Sequence, residues 1–247
     1  MNLVLTIITV LILLFLFTIS LKLRIFDFKG SVAALIMGAW VAFLASVYWL
    51  ILMVLFAVSS YLATRAFFDT KKKLNIQEGK SGERRTSNIM FAGGIGAAIA
   101  LLFFINNLVD PISFPFFELF AVSFAVINAD TFASELGTVD RNVYLITTFE
   151  RVERGVNGGI SATGTLASAL GSLIVGIIFS FLEFGSFYVL PVLFITAMGF
   201  LGSIVDSFAG AIYENRGKIS KGMVNFIATF AAVAVSVVLL EIIPLLS

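Results

Sequence analysis

The sequence predicts an all-α polytopic transmembrane helix bundle of about eight spans, with both termini outside. Three observations predict it: the composition, the lengths of the apolar runs and the placement of the basic residues. Of 247 residues, 60% are hydrophobic and only 13% are charged, with a mean hydropathy of +1.06. A soluble domain is nearer half apolar and about a quarter charged, so this is a membrane composition.

A hydrocarbon core of roughly 30 Å needs about 20 helical residues to cross. Runs of that kind fall near 3–21, 30–45, 47–68, 88–105, 114–136, 159–182, 187–213 and 222–246, which makes 1–247 a single integral membrane domain. The first run sits where a signal peptide would. It lacks a basic leading region and is longer than a signal's apolar stretch, so it is read as a span. The second and third runs are almost continuous from Gly30 to Phe68, too long for one crossing. A tight turn near Ala45–Ser46 must divide them.

All 16 basic residues lie in the odd-numbered connections. The first holds Lys22, Arg24 and Lys29. The third, with the end of its helix, holds Arg65, Lys71, Lys72, Lys73, Lys80, Arg84 and Arg85. The fifth holds Arg141, Arg151 and Arg154, and the seventh Arg216, Lys218 and Lys221. A wrong span count would scatter these charges over both sides. The positive-inside rule places the odd connections in the cytoplasm of a multi-pass cell-membrane protein. Those connections are also the long, glycine-bearing ones, so the working face is expected there. Lys71–Lys73 are read as anchors at the membrane edge, touching anionic lipid. Glu118, Glu183 and Glu241 are read as interfacial on the outer side.

The chain has no cysteine and no histidine. Disulfides, thiolate or imidazole metal sites and histidine acid–base chemistry are therefore excluded. A net charge of +1 predicts no nucleic-acid partner. Carboxylates, hydroxyls, Lys/Arg, backbone amides and oxygen-held metals remain.

Two segments carry such groups. The fifth span ends in Asn128-Ala129-Asp130-Thr131-Phe132-Ala133-Ser134-Glu135, and the seventh in Val205-Asp206-Ser207-Phe208-Ala209-Gly210. Each follows a Gly-Gly-Ile, at Gly93–Ile95 and Gly158–Ile160, which suggests a duplicated helix pair. Both aspartates fall in the inner third of the bilayer. A carboxylate in lipid costs about 2.5–3.5 kcal/mol even on insertion scales, so Asp130 and Asp206 must face the bundle interior. Ser134 shares the face of Asp130, and Glu135 follows it. Paired carboxylates beside hydroxyls suit Mg²⁺, which is usually held by one or two carboxylates plus substrate phosphates. The plainer alternative is that each aspartate caps a helix end or hydrogen-bonds a neighbouring helix.

Lys80, Arg84 and Arg85 precede the glycine-rich fourth span, where guanidinium forks can grip phosphate. Arg154-Gly155-Val156-Asn157-Gly158-Gly159-Ile160-Ser161 leads into the sixth helix. Its N-terminal amides form an anion site or else a plain turn with close helix packing.

Several strings resemble a family of polytopic membrane proteins that includes the plant phytyl-phosphate kinase, much of it filed as a domain of unknown function. The family looks like a branch of the CTP-using membrane transferases. The strings are Ala129–Gly137, Val156–Ser161 with Gly164-Thr165, Gly199–Ser207, Gly210-Ala211 and Val224-Asn225-Phe226. Phe132 stands where a Trp is common, Val156 where a Thr is common, and Ala92 precedes Gly93 without the usual Asn. The resemblance implies phosphoryl transfer from a nucleoside triphosphate, CTP favoured, to an isoprenoid lipid phosphate. Asp130 and Asp206 would hold Mg²⁺, assisted by Glu135. Lys80, Arg84, Arg85, Arg151, Arg154, Lys218 and Lys221 would neutralise phosphates, with Ser134, Asn157, Ser161, Ser207 and Asn225 nearby. Membrane lipids are the other expected partners, and the oligomeric state stays open. The competing readings are a CTP-dependent lipid-phosphate nucleotidyltransferase, a secondary transporter with intramembrane carboxylates, and a non-catalytic scaffold.

Overall fold

A computed structural model describes residues 3–77, 86–109 and 111–242. Lys80, Arg84 and Arg85 lie outside the described residues. The helices are α1 (Leu3–Leu23), α2 (Phe28–Leu44), α3 (Val47–Arg65), α4 (Phe68–Lys73), α5 (Thr86–Val109), α6 (Phe116–Leu136), α7 (Ala162–Phe184), α8 (Val189–Ala209) and α9 (Lys221–Ile242). Among the described residues, six are long and apolar enough to cross a membrane. The other two expected spans correspond to shorter apolar helices, Phe28–Leu44 and Gly93–Val109. The polytopic all-α bundle is borne out, and the break between α2 and α3 falls at Ala45–Ser46 as expected.

α6 is the axis of the bundle. Every residue from Phe117 to Ala129 is buried, the pattern of a helix apolar on all faces and enclosed by others. It packs against α3, α5, α7, α8 and α9. Small residues permit the closest approaches, as is usual between membrane helices. A Cβ added at Gly199 of α8 would lie 2.7 Å from both Ala125 of α6 and Ser172 of α7. At one end of the bundle, Trp49 stacks on Phe117 with ring centroids 5.2 Å apart, and Phe117 meets Phe179 at 5.1 Å. Glu118, in the first turn of α6, sits in this region at 6% exposure, turned into the protein.

The odd connections meet at the other end. The fifth folds into a small antiparallel sheet that the apolar pattern did not foresee: β1 (Val143–Leu145), β2 (Arg151–Val152) and β3 (Gly159–Ile160), in the order β2-β1-β3. Because Gly159 and Ile160 pair with Leu145 and Tyr144, the sixth span begins at Ala162 rather than Gly159. This also corrects the proposed repeat. Gly93–Ile95 lies inside α5, whereas Gly158–Ile160 is a turn and a strand, so the two tripeptides are not structural equivalents. The third span stops at Arg65, because Ala66 is extended and Phe67 takes a left-handed backbone at φ 56°. The chain then turns back as α4.

Lys71 on α4 corrects another expectation. It is 1% exposed and paired with Glu135, so of the three lysines read as lipid anchors this one faces the protein interior.

Candidate functional site

A cavity of about 710 Å³ opens where α6 and α8 end and α7 begins, against the fifth connection. Asp130 reaches it from α6 and Asp206 from α8, three residues before α8 ends. The two side chains are in hydrogen-bonding contact. Helices that are neither consecutive nor covalently close thus bring two carboxyls to one point. Charged carboxyls this close repel unless a proton or a cation lies between them.

The surroundings of Asp206 are mixed in sign. Lys221 and Glu214 are both near enough to act on it electrostatically. With its amide turned to satisfy its neighbours, Asn225 of α9 donates to Asp206 Oδ2 at 2.8 Å and to the Lys221 carbonyl at 3.3 Å. Behind the aspartates, Ser168 Oγ donates to Ser203 Oγ at 3.0 Å, tying α7 to α8. After Ala209 the backbone widens into a π-helical turn, Gly210–Glu214, a feature common beside functional sites.

Gly158 explains how the fifth connection closes on this wall. Its φ is +74°, and an added Cβ would lie 2.5 Å from the Ser207 carbonyl oxygen. Asn215 Nδ2 on the seventh connection donates to the Asn157 carbonyl at 2.9 Å. Arg154 lines the cavity and donates to the Thr138 carbonyl at 3.3 Å.

The amides at the start of α7 are largely taken up by the chain itself. Ser161 Oγ accepts from Gly164 N at 3.1 Å, and Asp140 Oδ2 accepts from Thr163 N at 2.8 Å. Asp140 Oδ1 also accepts from the Thr163 hydroxyl at 2.8 Å. The backbone N–H of Thr163, with help from its hydroxyl, holds the Asp140 carboxyl below its ordinary value. This helix start is capped by a carboxylate, so of the two readings of the glycine-rich entry, the packed turn describes it better.

The remaining expected residues divide. Ser134, Glu135, Asn157, Ser161, Ser207 and Lys221 line the cavity. Arg151 and Lys218 are exposed and do not line it; Arg151 donates instead to the Arg141 carbonyl at 3.3 Å. Sequence reasoning gave no role to Asn128, which binds three helices together. Its Oδ1 accepts from Ser59 and Ser60 of α3 at 3.0 and 3.1 Å, and its Nδ2 donates to the Gly171 carbonyl of α7 at 2.8 Å. A polar residue inside an apolar span was the available signal.

Fold and site together define a polytopic integral membrane protein with a carboxylate-bearing cavity at one end of its bundle. The chain belongs to the integral membrane protein family DUF92, whose profile matches residues 11–237. It is 34% identical to an uncharacterized membrane protein of Methanocaldococcus jannaschii, over 88% of this chain and 87% of that one. It is 26% identical to Protein PGR of Arabidopsis thaliana, over 80% of this chain and 75% of the relative. Protein VTE6, chloroplastic, also from Arabidopsis thaliana, is 29% identical over 62% of this chain and 46% of its own length. No solved structure matches. The family resemblance drawn from the motif strings is therefore borne out.

Proposed function

We propose that this protein transfers the terminal phosphoryl group of a nucleoside triphosphate, CTP favoured, to a prenyl or polyprenyl monophosphate at the cytoplasmic face. The observation that carries the reading is the meeting of Asp130 and Asp206 on the wall of a cavity that also holds Lys221 and Arg154. Kinship with a family that resembles the phytyl-phosphate kinase supports it.

The donor set fits a hard divalent cation. Among the described residues no group of three acidic, histidine or cysteine side chains could hold a metal. A pair of carboxylates completed by phosphate oxygens and water is the usual arrangement for Mg²⁺. Bound there, Mg²⁺ would neutralise charge on the transferring phosphates. Asp130 and Asp206 would hold it. Asn225 fixes the orientation of Asp206, and Lys221 and Arg154, both on the cavity wall, would offset phosphate charge.

The lipid monophosphate supplies its own nucleophile. An oxygen of the lipid phosphate attacks the γ-phosphorus, the bond to the β-phosphate oxygen breaks, and the nucleoside diphosphate leaves. A phosphate is already ionised at pH 7, so no strong general base is needed, and the absence of histidine is no obstacle. Phosphoryl transfer demands positioning and charge neutralisation above all. The isoprenoid tail would lie among the helices with its head at the inner interface. Asp130 and Asp206 lie near helix ends rather than at the midplane where transporters bind their cargo, which weighs against the transporter reading.

The test is to incubate purified protein with Mg²⁺, CTP or ATP, and geranylgeranyl or phytyl phosphate. Lipid diphosphate and nucleoside diphosphate should form, and Asp130→Asn should abolish both. Release of pyrophosphate would reassign the protein as a nucleotidyltransferase. Absence of turnover with every lipid phosphate would refute the reading.

A further inference from the structure

α8 presents two different strips to the cavity. At 3.6 residues per turn, Asp206, Ser203 and Ser207 fall within about 100° of helix surface, and Phe200, Ile204 and Phe208 occupy the next 80° or so. All six line the cavity. In the polar strip Asp206 meets Asp130 of α6, and Ser203 accepts from Ser168 of α7. The apolar strip starts at the level of Asp206 and runs in single file two turns deeper into the membrane, a rise of about 12 Å.

Beyond the apolar strip lies the outer surface of the bundle. Phe208 is 42% exposed while also lining the cavity, and Leu201 and Val205, next round the helix, are exposed. Thr165 of α7 likewise lines the cavity and is exposed. A helix that sealed a polar cavity from lipid would carry a buried seam on that side. From Phe200 to Phe208, α8 carries none there: its buried residues, Gly202 and Ser203, face the other way, toward α6 and α7. A purely polar ligand gains nothing from Phe200, Ile204 and Phe208. A phosphate with a hydrocarbon chain uses both strips at once, its head at the carboxyls and its chain on apolar side chains that continue into the bilayer.

We propose that the gap between α7 and α8, bordered by Thr165, Ile204 and Phe208, is a lateral portal through which an isoprenoid phosphate enters from the membrane, its first units lying along Phe208, Ile204 and Phe200. The inference rests on the reading that this cavity takes a lipid monophosphate. A single row of side chains seats one chain, so the strip favours an isoprenoid phosphate over a two-chain phosphatidic acid.

The test is photo-crosslinking of the purified full-length protein in detergent with a geranylgeranyl phosphate analogue that carries a diazirine in its first isoprene units. Adducts mapped by mass spectrometry should fall at Thr165 and between Phe200 and Phe208. Geranylgeranyl phosphate should compete them away, and an equal concentration of phosphatidic acid should not. In turnover assays Ile204→Ala and Phe208→Ala should raise KM for geranylgeranyl phosphate about ten-fold, the loss of roughly two methylene groups of apolar contact, and leave KM for CTP unchanged. Neither side chain is fully buried, so the fold tolerates both changes. Adducts confined to other segments overturn the inference, as do equal competition by phosphatidic acid and an unchanged lipid KM in both variants. A protein labelled at these positions that phosphorylates no lipid keeps the portal and loses only the kinase reading. One that turns over geranylgeranyl phosphate but is labelled elsewhere loses the portal alone, and one that does neither loses both.

Discussion

Lys71 and Glu135 form a buried ion pair between α4 and the last turn of α6, with side chains 1% and 7% exposed. Lys71 Nζ also donates to the carbonyls of Thr64 at 2.6 Å and Ala63 at 3.4 Å. An ammonium has three donors, and here all are used. Two of the acceptors are carbonyls from the last turns of α3, which lack partners inside their own helix. One side chain therefore closes α3, fastens α4 and fixes Glu135 on the cavity wall.

Removing one member should cost far more than removing both. Lys71→Met leaves the Glu135 carboxylate buried without its partner, a loss of about 3–5 kcal/mol. Lys71→Met combined with Glu135→Gln should regain most of that. Thermal unfolding in detergent measures both. A single mutant as stable as the wild type would show that the pair does not hold α4 in place.

Added Mg²⁺ should raise the unfolding temperature of the wild type, because a ligand that binds only the folded state stabilises it by mass action. Asp130→Asn and Asp206→Asn should lose that response. Neither should lose much stability when Mg²⁺ is absent, since an asparagine amide can donate the hydrogen bond that a shared proton otherwise supplies between the two side chains. Unfolding curves with and without Mg²⁺ decide the matter, and a full Mg²⁺ response in Asp206→Asn would move the cation elsewhere.

Asp140 gives a pH-dependent signature outside the membrane spans. Its carboxyl titrates below the ordinary 3.8 through its bonds from Thr163. A folded value below the unfolded one means the contribution is complete above about pH 4. It is lost as pH falls through the lowered folded value. Asp140→Asn should therefore be less stable than wild type at neutral pH, with the gap closing toward pH 3. Unfolding midpoints across that range test it, and a gap that widened in acid would contradict the capping role.

The helices were legible because a membrane imposes run length and charge placement together. The paired aspartates were legible because an acidic residue cannot sit idle in an apolar span. Lys71 was not, since it shares its local sequence character with Lys72 and Lys73, and only contact with α6 distinguishes it. Asp140 gave no local sign of capping Thr163, 23 residues further on. The sheet escaped because two of its strands have only two residues each, too few for alternation to register. The Gly-Gly-Ile match misled because glycine tolerates both helix and left-handed turn.

Orientation can be read directly because the chain contains no cysteine. Lys218→Cys and Ser186→Cys would each introduce one exposed thiol, on opposite ends of the bundle. In intact cells a membrane-impermeant maleimide should label Ser186→Cys alone, and Lys218→Cys only after lysis. The reverse pattern would invert the topology and place the cavity outside the cytoplasm.

Gly158 and Gly217 separate backbone strain from site geometry. Both have positive φ, +74° and +66°, so alanine is strained at either by about 1–3 kcal/mol. At Gly217 an added Cβ meets nothing within 4 Å, whereas at Gly158 it lies 2.5 Å from both the Ala211 Cβ and the Ser207 carbonyl oxygen. Gly217→Ala should thus lose some stability and keep its turnover. Gly158→Ala must push the fifth connection off α8 beside Asp206, and should lose at least ten-fold in activity even where it remains folded, about 1.4 kcal/mol in the barrier. Equal activity loss in the two variants would mean that strain alone, rather than the contact with α8, accounts for the glycine at 158.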